Sequence, residues 1–149
     1  MPVVTSVADD GSFVAFRFHK KISTDDVLAA SAEMAKKVTR DGEFVSLLLF
    51  EAGVDLSDID ADSINAIRSN RQRELLDFGL KRRAGAAVVD GSIDAKFVLK
   101  LWNAICDCDP DIDLSFQTFG EPGPALEWLD VPAAHAGPVI GRTGYRPKP

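Results

Sequence analysis

Phe44-Val45-Ser46-Leu47-Leu48-Leu49-Phe50 is the stretch on which the fold turns. All of it except Ser46 is apolar, with no helical alternation of polar positions. A short run of this kind fits a central strand covered on both faces, as in a parallel sheet. Residues 84–89, Ala-Gly-Ala-Ala-Val-Val, read as a second buried strand ending at the Asp90-Gly91 turn. Between these two strands lies an acidic loop, residues 51–62, followed by a helical pattern over residues 63–82 with Ile64, Ile67, Leu75 and Phe78 on one stripe. Lys81-Arg82-Arg83 closes that helix and complements its negative end.

Working outward to the N-terminus, residues 3–8 and 13–18 are β-rich and flank Asp9-Asp10-Gly11-Ser12. Glycine supplies the positive φ of a tight turn, so the pair predicts a β-hairpin. Ser23 or Thr24 then caps a helix that Asp25 and Asp26 favour at its positive end. Val27, Leu28, Ser31, Met34, Ala35 and Val38 give it one buried face, and Asp41-Gly42 stops it. Toward the C-terminus, Phe97, Val98, Leu101, Trp102 and Ile105 predict a third amphipathic helix. Residues 112–119 alternate as a half-exposed strand, and Pro124 starts a short helix over residues 125–129. From Val131 the chain turns to Pro, Gly and Ala, with Arg142, Arg146 and Lys148 near the end. That composition predicts a tail over residues 131–149, disordered or laid on a neighbour. The order β-β-α-β-α-β-α-β-α implies one α/β domain over residues 1–130, with a sheet mainly parallel past its hairpin.

Composition narrows the function classes. The chain has 149 residues and 46% hydrophobic content, ordinary for one globular domain. Its formal net charge of −6 disfavours a protein that tracks nucleic-acid phosphates, which needs many cations to release counterions. No apolar run approaches the ~20 residues of a membrane span, and residues 1–7 lack the pattern of a secretory signal. Cys106 and Cys108, separated by Asp107 alone, cannot build a disulfide framework. Cytoplasm is therefore the expected compartment.

Three stretches carry a resemblance to a known family. They are Asp77-Phe78-Gly79-Leu80-Lys81-Arg82-Arg83 continuing to Ala86-Ala87-Val88-Val89-Asp90-Gly91, then Ala95-Lys96-Phe97-Val98-Leu99-Lys100-Leu101-Trp102, and finally Phe119 with Ala125-Leu126-Glu127-Trp128-Leu129. With the strand at residues 46–50, they make most of residues 3–130 resemble the STAS-type fold, named for sulfate transporters and anti-sigma-factor antagonists, and especially its SpoIIAA-like branch. The resemblance implies a mixed four- to five-stranded sheet with helices mainly on one side, no enzymatic activity, no cofactor, and homodimers or a regulatory protein partner. Relatives carrying a STAS and Sec14-like label add a small apolar or lipid ligand. These motifs are packing patterns, and fold similarity alone does not assign a role.

In classical anti-sigma antagonists an Asp-Ser pair opens the helix after the central strand, and its serine is phosphorylated; Asp62-Ser63 matches that place. A phosphate there would face the positive helix end. The family's Gly-rich continuation is replaced by Ile64-Asn65-Ala66, and Asp55, Asp58, Asp60 and Asp62 crowd the loop with like charge. The simpler reading makes Asp62 or Ser63 a helix cap. The alternating acids at Asp58, Asp60, Asp62 and at Asp107, Asp109, Asp111, Asp113 fail the calcium-loop pattern, having Ser63 and Ser69, or Ile112 and Thr118, where glycine and glutamate belong. Two cysteines leave a tetrahedral metal site half empty. The chain lacks a Gly-x-Ser-x-Gly elbow and a Gly-rich phosphate loop, and only His19 and His135 could serve as a conventional base. Arg68 and Arg71 fall on or beside the apolar stripe of the second helix. They snorkel to solvent, clamp an acidic group over an apolar floor, or lie on a helix half exposed at a homodimer or partner interface.

Two functions are therefore expected. One is a non-catalytic regulatory or protein-interaction domain working through residues 63–82. The other is a carrier or sensor of a small apolar or acidic ligand held beside that helix. Asp62, Ile64, Ile67, Arg68 and Arg71 are the candidate ligand or interface residues, with Ser63 as the candidate phosphosite.

Overall fold

The computed structural model describes residues 2–38, 43–79, 81–89, 100 and 116–146. The expected turns at Asp41-Gly42 and Asp90-Gly91, the third amphipathic helix, both cysteines and the second acidic run lie outside the described residues, apart from Lys100, which is helical. Five strands form one sheet: β1 (Val3–Val7), β2 (Phe13–Phe18), β3 (Glu43–Phe50), β4 (Lys81–Val89) and β5 (Phe116–Phe119). They lie side by side in chain order. The β1–β2 hairpin is antiparallel, and each later pairing is parallel. Gly11 takes φ +74° in the hairpin turn, the left-handed conformation that glycine adopts without strain.

The residues of β3 explain why it is central. Val45, Leu47 and Leu49 enter one core, while Phe44 and Phe50 enter another. The two-residue period of a strand sends successive side chains to opposite faces, so a run apolar at both parities needs a layer on each side. Both layers are present. Helix α1 (Thr24–Lys37) and helix α2 (Ala61–Asp77) cover one face. Helix α3 (Pro122–Leu129) and helix α4 (Ala133–Thr143) cover the other, through Ala125, Leu129, Ala136 and Val139. The expected arrangement, with helices mainly on one side, is corrected to a sheet with helices on both faces.

Two further expectations are corrected. Helix α2 does not run to Arg82: it ends at Asp77, with Phe78 as its C-cap and Gly79 at φ +66°. A left-handed glycine just past the last turn is a common helix stop, and it frees Lys81-Arg82-Arg83 to begin β4. Residues 131–146 are not a loose tail. Val131 itself packs against the second core, and α4 buries Ala136, Val139 and Thr143 against β1 and β2. Its Pro138 sits inside the helix, and its glycines lower intrinsic helix propensity. Tertiary burial overrides that preference. Helix α1 follows its sequence closely: Ser23 is the N-cap and forms a reciprocal capping box with Asp26. Helix α3 begins at Pro122, two residues earlier than expected, with proline in its first turn. No helix among the described residues is long and apolar enough to cross a membrane.

Candidate functional site

Parallel strands β2 and β3 end together at Phe18 and Phe50, whose rings stack with centroids 4.5 Å apart and planes 11° from parallel. The chain leaves both strands in loops that are stitched to each other. Ile22 donates its N–H to Asp55, and Asp55 donates its own to Lys20, both at the backbone and at 2.9 and 2.8 Å. The β3–α2 loop then folds inward, burying Val54, Leu56 and Ile59.

An apolar cleft opens there. Its floor is Phe18, Leu48 and Phe50, its walls are Val27 of α1 and Leu56 and Ile59 of the loop, and Phe116 closes an edge. Helix α2 supplies Ile64, Ile67 and Arg71. Cavity volume is about 90 Å³. Arg71 is the one charged side chain among the described lining residues. Arg71 also has an interaction of its own within the fold. Spacing explains the grouping: Ile64, Ile67 and Arg71 stand three and four residues apart, so one helix face presents all of them.

Of the candidates read from the sequence, Ile64, Ile67 and Arg71 therefore meet in the cleft. Arg68 is half-buried on the same helix but does not line it, and Asp62 is exposed on the first turn. Ser63 is not in the cleft either. The N-cap of α2 is Asp60, neither Asp62 nor Ser63: its carboxylate accepts from the Ser63 backbone N–H at 2.8 Å and from the Ser63 hydroxyl at 2.9 Å. Those hydrogen bonds, the backbone one foremost, hold the Asp60 carboxyl below its usual range. A glutamate further along α2 fixes the helix against α1. Glu74 accepts from Ser31 Oγ at 2.6 Å and from Asn70 Nδ2 at 2.9 Å.

A polar cluster that sequence reasoning missed lies on the opposite side of the sheet. Asp10 and Ser12 of the hairpin loop meet His135 of α4, 123 residues beyond Ser12 in sequence. Ser12 Oγ donates to Asp10 Oδ1 at 2.7 Å and lies 3.4 Å from His135 Nε2, which is itself 3.7 Å from Asp10 Oδ1. The Ser12 hydrogen bonds hold the Asp10 carboxyl below its usual range, with the His135 charge a smaller contribution. A nucleophilic triad places histidine between serine and carboxylate, so that the imidazole takes the hydroxyl proton. Here Ser12 donates to Asp10 itself, so the three groups do not stand in the order of a triad. The cluster pins the start of α4 to the hairpin. No local motif marks His135, because its partners belong to a distant turn.

Among the described residues no three metal-ligating side chains come together. No protein-family model matches this chain, and no curated protein matches it significantly.

Proposed function

We propose that this chain is a binding domain, a carrier or sensor that holds a small and largely apolar ligand in the cleft between α2 and the ends of β2 and β3. The observation behind this reading is the cleft itself: among the described lining residues, hydrocarbon on floor and walls with one guanidinium at the α2 side. Small-molecule sites have this composition, many apolar contacts and few polar groups that fix orientation. An apolar cavity gains little from water, which needs two to four polar partners, so a hydrocarbon group is its favourable occupant.

The regulatory reading shares the same helix. A ligand seated on Ile64 and Ile67 bears on α2, whose far side is exposed and so available to a protein partner. The order of strands and helices supports a STAS-like, SpoIIAA-like assignment, although helices on both faces depart from what that resemblance implies. Phosphorylation of Ser63 would act through the cap. It would replace a hydroxyl that donates to Asp60 with an anion facing that carboxylate, and so loosen the first turn of α2.

Methyl NMR tests the binding reading. Titration with pentan-1-ol, an uncharged probe, is expected to shift the methyl signals of Ile59, Ile64, Ile67 and Val27, and to leave Val139 on the opposite face unmoved. Uniformly unchanged spectra at millimolar probe would remove the proposal.

A further inference from the structure

We infer that the ligand of this cleft is a short-chain aliphatic molecule, of which the walls enclose about four carbons and no more. This rests on the binding reading above and adds the size class and what enforces it.

Volume sets the number. A dry engineered cavity of roughly 150 Å³ accepts benzene with its six carbons. At the same filling, about 90 Å³ encloses about four carbons. Rigidity makes that number a limit. Val27, Ile59, Ile64 and Ile67 are branched at Cβ, which leaves their χ1 angles few alternative states. Methionine, the side chain that reshapes itself around varied ligands, is absent from the described lining residues. Phe18 and Phe50 are buried and stacked on each other, so the floor has little room to sink. The walls are also tied down. Asp55 fastens the loop that bears Leu56 and Ile59 to Lys20 and Ile22, just beyond β2, by backbone hydrogen bonds of 2.8 and 2.9 Å. Ser31 Oγ donates to Glu74 at 2.6 Å and so holds α2, with Ile64 and Ile67, against α1 and Val27. A longer chain gains nothing from its extra carbons. Forced in, they would overpack the walls; left outside, they bury no surface in the cleft.

Methyl NMR titration with the straight-chain primary alcohols from ethanol to octan-1-ol tests this, read at Ile59 and Ile64 with Val139 as the control on the opposite face. Affinity is expected to rise about fourfold per methylene up to about four carbons, and by less than about twofold per methylene beyond. Ile67→Ala, which takes about three carbons from a half-buried position on one wall, should move that break to about six or seven carbons. Val27→Ala, on the α1 wall, should move it in the same direction by less, and serves alone if the first variant loses its folded spectrum. A fourfold rise that continues through octan-1-ol in the parent protein would overturn the size limit while leaving the binding reading intact. A break that stays at the same length in the enlarged variants would overturn it too, because the walls would then not set the length. If no alcohol shifts the cleft methyls, the binding reading itself falls.

Discussion

At the first turn of α2 one carboxylate does two jobs. Asp60 accepts from the backbone N–H and from the hydroxyl of Ser63, at 2.8 and 2.9 Å. The backbone bond satisfies one of the four amide donors that any helix leaves open at its start, and the negative charge lies at the positive helix end. Asp62 is already inside the helix and makes no cap. Replacing Asp60 by alanine is therefore expected to cost about 1 kcal/mol of unfolding free energy. Ser63→Ala, which keeps the backbone bond and loses the hydroxyl, should cost less than that, and Asp62→Ala should stay within about 0.5 kcal/mol of the parent. Urea denaturation of the three variants measures this directly. A loss at Asp62 equal to that at Asp60 would show the cap to be misassigned. The sequence held three aspartates at alternate positions, each a plausible cap by type; only the point where the backbone enters the helix distinguishes them.

Among the elements, α4 departs furthest from what its residues advertise. Its proline and two glycines each oppose a helix, and short-range propensity reads the segment as a tail. What orders the segment is distant: Val139 and Ala136 on the second core, Arg142 Nη2 donating to the Val7 carbonyl at 2.9 Å, and His135 at the hairpin. No window of neighbouring residues contains those partners. The strands were legible for the converse reason, since residues 44–50 and 84–89 carry their burial in their own composition. Helix α2 was legible in its apolar stripe and misread at its end, where Gly79 outweighs the basic run that follows. The far end of α4 is held by Arg17. Its guanidinium donates to Glu51 from Nε at 2.6 Å and from Nη2 at 3.2 Å, and from Nη1 to the Thr143 carbonyl at 3.3 Å. Burial alone would raise the Glu51 carboxyl, but hydrogen bonds and charge from Arg17, with the Arg146 backbone N–H, bring it below the usual 4.5. A carboxyl lowered on folding stabilises the native state above its unfolded value, and that contribution is lost as pH falls through the folded value. Glu51→Gln is accordingly expected to lose about 1–3 kcal/mol at neutral pH. Below pH 4.5 the gap should close, which urea midpoints measured from pH 7 to pH 3 would show. Parallel curves for the two proteins would mean that the pair contributes nothing on folding.

The described residues form two helical layers on one shared sheet, and the cleft lies in only one of them. Phe18, Leu48 and Phe50 face the cleft, while their strand neighbours Leu47 and Leu49 face α3 and α4. If the five strands unfold as a unit, anything bound on the α1–α2 side stabilises the α3–α4 side equally, because neither layer can leave without the sheet. A ligand held at one hundred times its dissociation constant adds about 2.7 kcal/mol. In a domain of this size that corresponds to a rise in Tm of roughly 5–10 °C. Pentan-1-ol, the uncharged probe of the cleft, is the ligand to use. Hydrogen exchange can then separate global from local protection: amides in the middle of α4 should slow by about the same factor as those of α2, on the order of a hundredfold. Protection confined to α1 and α2 would show that the layers open independently. The C-terminal helix would then be a separately stable cover on the sheet, and a signal raised at the cleft would stop at the strands.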